Sequence, residues 1–175
     1  MAKKRLVVGN WKMYIEKPEE ARQFALTLRR KVRGLSGVDV YVAPPFPFIA
    51  DVAKVLESSP VRVGAQTCSP YTDGQHTGEI TAAMIKNVGG LFSIVGHSER
   101  RQEGDTNEIV RIELERAIAA NLTPILCIGE EERKKDGEHF AIIEEQLSTA
   151  IKDLPKNMLR KLIVAYEPVW AIGKS

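Results

Sequence analysis

A chain of 175 residues is long enough to bury one sizeable core, and a composition of 43% hydrophobic and 27% charged residues is ordinary for a soluble globular protein. A net charge of +2 with no Lys/Arg stripe interleaved with aromatics argues against nucleic acid as a partner. No stretch approaches the roughly 18 consecutive apolar residues that a membrane-spanning helix needs.

The basic opening Lys3-Lys4-Arg5 leads into Leu6-Val7-Val8, too short an apolar run for a signal peptide, so it reads as a first strand. Further short apolar runs lie at Val38–Val42, Val61–Gly64, Leu91–Val95, Thr123–Ile128 and Lys161–Ala165. Continuous apolar runs bounded by Gly, Pro or Asn suit strands buried on both faces of a parallel sheet. Between them lie helical spacings. The first places Ala21, Phe24, Ala25, Leu28 and Val32 on one face, with Pro18, Glu19 and Glu20 at its start. The second covers about 47–56, with Ile49, Val52, Ala53 and Leu56 in register, and the third about 79–88. A fourth begins near Asp105–Thr106 and carries Ile109, Ile112, Ala117 and Ile118. The fifth begins near Gly137 and carries Phe140, Ile143, Leu147, Ala150 and Ile151. Cys68 and Cys127 have no CxxC spacing and read as reduced thiols of a cytoplasmic protein.

The result is a βα repeat of about 30 residues, with five full units and a sixth strand. Right-handed crossovers make such a sheet parallel. Periodicity leaves two architectures open, a doubly wound sheet and a (βα) barrel. Nothing in 1–175 marks a second domain.

In either architecture ligands bind beyond the C-terminal ends of the strands. Asn10 and Lys12 follow the first strand, Gln66 the third, His97 to Arg100 the fourth, Gly129 and Glu130 the fifth, and Glu167 the sixth. Taken singly, a histidine, a glutamate or a lysine at such a place is a structural or solvent-facing residue. Crowded at one rim, a carboxylate base, an imidazole donor and a cation suit proton abstraction next to a carbonyl. Competing motifs fail. Gly173-Lys174-Ser175 resembles the end of a P-loop, but position 168 is Pro where that loop needs Gly. No GxGxxG follows the first strand, His76, His97 and His139 lack metal-ligand spacing, and HExxH and GxSxG are absent.

Three segments carry a specific resemblance: Val8-Gly9-Asn10-Trp11-Lys12-Met13, Val95-Gly96-His97-Ser98-Glu99-Arg100-Arg101, and Ala165-Tyr166-Glu167-Pro168-Val169-Trp170-Ala171-Ile172-Gly173. Ala43-Pro44-Pro45, Gly64-Ala65-Gln66, Thr77-Gly78-Glu79 and Leu126-Cys127-Ile128-Gly129-Glu130 support it. In this order and spacing they resemble the triosephosphate isomerase family along the whole chain. The resemblance implies an α/β fold of the TIM (βα)8-barrel type, here with about six strands and five helices. It also implies interconversion of dihydroxyacetone phosphate and glyceraldehyde 3-phosphate without cofactor or metal. Glu167 would be the base, His97 the electrophile acting as a neutral imidazole, Lys12 the cation beside Asn10, and Glu99 the residue ordering the network. Pro168–Gly173 would form a lid that excludes water, with the Gly173 amide on the phosphate. Thr77 matches a loop that reaches a neighbouring subunit, implying a homodimer or higher homo-oligomer.

Departures from the family pattern carry their own expectations. Gly173 is followed directly by Lys174-Ser175, where the family commonly ends its lid Gly-Thr-Gly-Lys/Arg. Asp105 stands near a usual Glu. Such barrels typically run to about 250 residues, so the sixth helix, the last two βα units and their phosphate loops are expected to be missing. Three explanations stand: a short version closed by neighbouring subunits, a fragment awaiting a separate C-terminal piece, or a remnant that folds without catalysing. Strands one and six are then expected to be open edges, with the inner face of the sheet needing another cover.

Overall fold

The structure is a computed structural model that describes residues 4–134, 136–171 and 173. Chain order is β1 (Arg5–Asn10), α1 (Pro18–Lys31), β2 (Val38–Ala43), α2 (Ile49–Leu56), β3 (Val61–Val63), α3 (Ala82–Asn87), β4 (Phe92–Val95), α4 (Ser98–Gln102), α5 (Asn107–Ala119), β5 (Thr123–Ile128), α6 (Glu138–Ile151), α7 (Lys156–Leu159) and β6 (Ile163–Tyr166). Short 3-10 turns at Phe46–Phe48 and Val169–Ala171 complete the described elements. The helices therefore number seven among the described residues, not about five. The two extra ones, α4 and α7, are five and four residues long, too short to leave a periodic signal.

All described strand pairs are parallel, in the order β1-β2-β3 and β4-β5-β6. An isolated bridge between Ala65 and Ser93 joins the two triplets, with Ala65 N–H donating to Phe92 O and Ile94 N–H to Ala65 O, both at 3.0 Å. Glycine is required at this seam. A Cβ on Gly64 would lie 2.4 Å from Phe92 O, so a side chain there would part the triplets.

Period-two alternation divides the strands between two cores. Val42, Val63, Val95, Leu126 and Ile128 face the helices, where Ala21, Ala25, Val52, Leu114 and Ala117 are fully buried. Tyr41, Ala43, Phe92, Ile94, Ile125 and Cys127 form a smaller cluster on the other face. There the Tyr41 and Phe92 rings lie 5.1 Å apart, a tilted aromatic pair.

Burial on both faces fails at the two ends of the sheet. On β1, Leu6, Val7 and Val8 are 37%, 54% and 36% exposed, and on β6 Val164 and Tyr166 are 46% and 48% exposed. A strand with one hydrogen-bonded neighbour lacks the second flank that would cover it. Two expected core aromatics also lie outside. Phe24 is half exposed, its ring set edge-on 4.9 Å from Trp11, and Phe140 is largely exposed beside the buried His139. On α5 the buried stripe runs through Val110, Glu113, Leu114, Ala117 and Ile118, while Ile109 and Ile112 are half-buried. Helix starts follow their caps. Thr106 Oγ1 accepts from Ile109 N–H at 3.3 Å, and Thr81 Oγ1 from Met84 N–H at 3.1 Å, so α3 starts later than its apolar pattern does. Thr106→Ala leaves that donor without its cap and is expected to cost about 1 kcal/mol of stability in chemical denaturation.

Candidate active site

Because the strands are parallel, Asn10, His97, Gly129, Glu130 and Glu167 all leave from the same end of the sheet. A cavity of about 410 Å³ opens there, lined by Asn10, Lys12, His97, Ser98, Glu99, Gln102, Glu167 and Val169.

Lys12 is held in a rare backbone conformation, φ 49°. A non-glycine residue there is strained and persists only where its surroundings impose it. Two amide side chains do so. Asn10 Oδ1 accepts from Lys12 N–H at 2.9 Å, and Gln66 Nε2 donates to Lys12 O at 2.8 Å and Ala43 O at 3.0 Å. The ammonium then reaches Glu99 Oε1 at 2.5 Å, and this hydrogen bond pushes the Lys12 pKa up, so the cation is secured.

His97 follows β4 and caps α4, its Nδ1 accepting from Glu99 N–H at 3.1 Å. A nitrogen that accepts carries no proton. The tautomer assigned from this bond is therefore the neutral Nε2–H ring. That Nε2 faces Glu167 Oε2 at 3.7 Å, beyond hydrogen-bond range. Glu167 Oε2 is buried without a partner. A carboxylate oxygen and an N–H donor are thus held near each other but unbonded, on two residues that line the same cavity. Cys127 lies beneath: burial, and then the neighbouring Glu167, push its thiol pKa up and keep it protonated.

Behind Glu167 stands a cluster that the rim residues only hinted at. Glu130 is fully buried and accepts from Tyr166 Oη at 3.0 Å, Trp170 Nε1 at 2.8 Å and Arg133 Nε at 2.9 Å. Burial alone would raise its pKa; the bonds from Trp170, Arg133 and Tyr166 outweigh it and hold the carboxyl at about 2. The Arg133 guanidinium also lies 4.9 Å over the Trp170 ring. With Val169 N–H donating to Glu130 O at 2.9 Å, the turn after β6 is tied to the end of β5.

Not every expected residue joins the cavity. Thr77 sits in the exposed stretch 71–79, and Gly173, also exposed, is not among the lining residues. Ile172, Lys174 and Ser175, on which the lid ending and the P-loop likeness rested, lie outside the described residues, as do Met1 to Lys3 and Lys135. Asp105 takes a carboxylate's place against Arg100, which it holds through two bonds of 3.1 and 3.0 Å. Gln66 and Glu130 stand at the rim in the sequence, but their backbone-holding roles leave no signal there. No group of three or more His, Cys, Asp or Glu side chains among the described residues is arranged to hold a metal ion, and none of the described helices is long and apolar enough to cross a membrane.

Comparison with known proteins shows the family. A family model described as triosephosphate isomerase matches residues 5–175. The triosephosphate isomerase of Endomicrobium trichonymphae is 40% identical over 173 residues, which is 98% of this chain and 69% of that one. Its counterpart from Symbiobacterium thermophilum is 41% identical over 170 residues, covering 96% and 66% respectively. The crystal structure of triosephosphate isomerase from Bartonella henselae superposes with a TM-score of 0.83 at 27% identity, over 95% of this chain and 69% of that one. The chain thus spans about two thirds of the length of these relatives, and its fold is that of the TIM barrel through six parallel strands. With the matches running from β1 to the turn after β6, the chain belongs to the triosephosphate isomerase family.

Proposed function

We propose that the chain interconverts dihydroxyacetone phosphate and D-glyceraldehyde 3-phosphate through an enediolate. Glu167 takes a proton from the carbon next to the carbonyl, where it can exchange with solvent, and delivers a proton to the neighbouring carbon. His97 Nε2–H donates to the carbonyl oxygen as charge builds on it and helps pass the hydroxyl proton from one oxygen to the other, and the Lys12 ammonium balances the enediolate and phosphate charge. Asn10 and Glu99 hold Lys12 in place, and Gly173 supplies an amide to the phosphate. Relocating a proton within one molecule leaves the redox state unchanged, so the reaction calls for no redox cofactor. The observation that carries this reading is the neutral Nε2–H of His97 at 3.7 Å from an unpartnered Glu167 oxygen, with the Lys12 cation on the same cavity. Donor, base and cation are the groups that proton abstraction beside a carbonyl requires.

The test is conversion of dihydroxyacetone phosphate by the purified chain in deuterated water, followed by proton NMR. Aldehyde product carrying deuterium at the carbon next to the carbonyl supports the reading; no turnover at high protein concentration sinks it.

A second reading is an assembly fragment without useful catalysis, favoured by the exposed strands β1 and β6. A homo-oligomer belongs to this proposal, supported by the Thr77 loop, which is exposed to solvent. The particle mass from light scattering, taken on the sample used for turnover, separates an active assembly from an inert one. A cytoplasmic location belongs to the same proposal, supported by the two free buried cysteines.

Gly129 offers an independent check on how Glu167 is positioned. A Cβ there would fall 2.2 Å from Glu167 O and 3.0 Å from Pro168 N, so Gly129→Ala must displace the backbone that carries the base. A displacement near 1 Å costs about 100-fold in rate, and overpacking costs about 1–3 kcal/mol. The expected outcome is a fall in kcat larger than the loss in unfolding midpoint explains, checked by measuring both on one preparation.

A further inference from the structure

Glu113 is a second buried carboxyl, which the chemistry above does not use. It sits on the inward face of α5, is 2% exposed, and leaves Oε2 without a hydrogen-bond partner. It lines a cavity of about 320 Å³, separate from the rim cavity, together with Thr67, Glu79, Arg100 and Asp105. A buried carboxylate needs a cation or hydrogen bonds to stay charged. The guanidinium on the cavity wall, Arg100, is committed to Asp105, and Arg101, whose Nη2 is buried without a partner, does not line the cavity. Arg101 donates to Gly96 O at 2.9 Å and Asn107 Oδ1 at 2.7 Å, and Arg116 donates to Pro70 O at 3.1 Å. Asp105 is therefore neutralised, while Glu113 and the exposed Glu79 leave the cavity acidic. Phe46, Pro70, Ile80 and Ile109, among its other walls, suit an apolar stem.

We propose that this cavity binds a guanidinium or primary ammonium group on a short apolar stem, its charged end pairing with Glu113. The volume fits a small ligand. Burial above all, then Asp105, raise the Glu113 pKa to about 8, against the opposing pull of Arg100 and a hydrogen bond with Thr67, with Glu79 a smaller raising contribution. The empty site is accordingly protonated near neutrality, and an arriving cation must expel that proton. The Cys68 thiol, held up to about 12 by burial first and by Glu113 next, stays neutral throughout.

Isothermal titration of the full chain with n-butylguanidinium chloride near neutral pH, in two buffers of different ionisation enthalpy, tests this. Expected are saturable binding of one probe per chain, release of most of one proton, and affinity that rises as pH approaches 8. Glu113→Gln is expected to weaken binding about 30-fold or more and to abolish the proton release. No saturable binding by the unaltered chain at millimolar probe, binding without proton release, or equal affinity in the Gln variant overturns the proposal. The proton count comes from the unaltered chain and stands even if the variant folds poorly. Sedimentation with and without probe separates the two sources of such a group. Dissociation of an oligomer by the probe identifies a Lys or Arg of a second copy as the occupant; an unchanged particle identifies a free small amine.

Discussion

Glu167→Gln is expected to lower the rate of triose phosphate interconversion by about 100- to 10,000-fold, the range that removal of a general base costs. Glutamine keeps the shape and the polar atoms of the side chain but cannot accept the substrate's proton. The backbone anchors of this position, Glu167 N–H to Ile128 O at 2.8 Å and Val169 N–H to Glu130 O at 2.9 Å, involve no side chain of residue 167 and survive the change. Unfolding behaviour should therefore stay near that of the unaltered chain while turnover falls. Glu167→Asp sharpens the point, because it retains the carboxylate but withdraws it by one methylene. A displacement near 1 Å costs about 100-fold, so the aspartate variant should fall between the unaltered chain and the glutamine variant. Steady-state kinetics in a coupled assay decide the order. An aspartate variant as active as the unaltered chain would mean that Glu167 is not the base.

The second large effect is on stability, and Glu113 causes it. Its pKa is raised from 4.5 to about 8 in the folded chain, chiefly by burial. Between those values the folded protein holds a proton that the unfolded chain has lost, so the unfolded state binds fewer protons and stability declines as pH rises. The contribution is fully present below pH 4.5 and is lost progressively up to about 8. At about 1.4 kcal/mol for each tenfold difference in proton affinity, the decline amounts to a few kcal/mol, a large share of the stability of a domain this size. Glu130 acts with the opposite sign: held down to about 2, it contributes stability above its ordinary value and loses it only in acid. A denaturant series from about pH 5 to 9 lies above the range of Glu130, and the difference between the unaltered chain and its Glu113→Gln variant over that series reports on Glu113. Glu113→Gln should flatten that series and raise the midpoint at its alkaline end. A profile that rises with pH over this interval would exclude the assignment.

Much of the architecture is legible in the residues because it rests on local rules. Apolar runs of three to six residues, bounded by Gly, Pro or Asn, locate the six strands of the described residues, and β5 is read end to end as Thr123–Ile128. The stripe of Ala21, Ala25 and Val32 locates the buried face of α1, and Thr106 marks the start of α5. Where the pattern misleads, a neighbour is the cause. Phe24 and Phe140 fit the helical period but face solvent, since period reports angle around a helix axis and not what lies opposite. Leu6 to Val8 read as interior strand, yet a strand with one flank unpaired keeps its side chains exposed.

The sequence by itself determined the βα order and the residue types gathered at one rim, with Asn10, Lys12, His97 and Glu167 among them, because strand direction and chain connectivity follow from local hydrogen bonding and short loops. Tertiary structure alone decided the rest: the 3.7 Å gap between His97 and Glu167, the strained Lys12 backbone held by Asn10 and Gln66, the grip of Glu130 on Trp170 and Tyr166, and the isolation of Glu113. Those are distances and partners between residues far apart in the chain. Electrostatic energy depends on separation and burial, and neither is written in the spacing of residues along a chain.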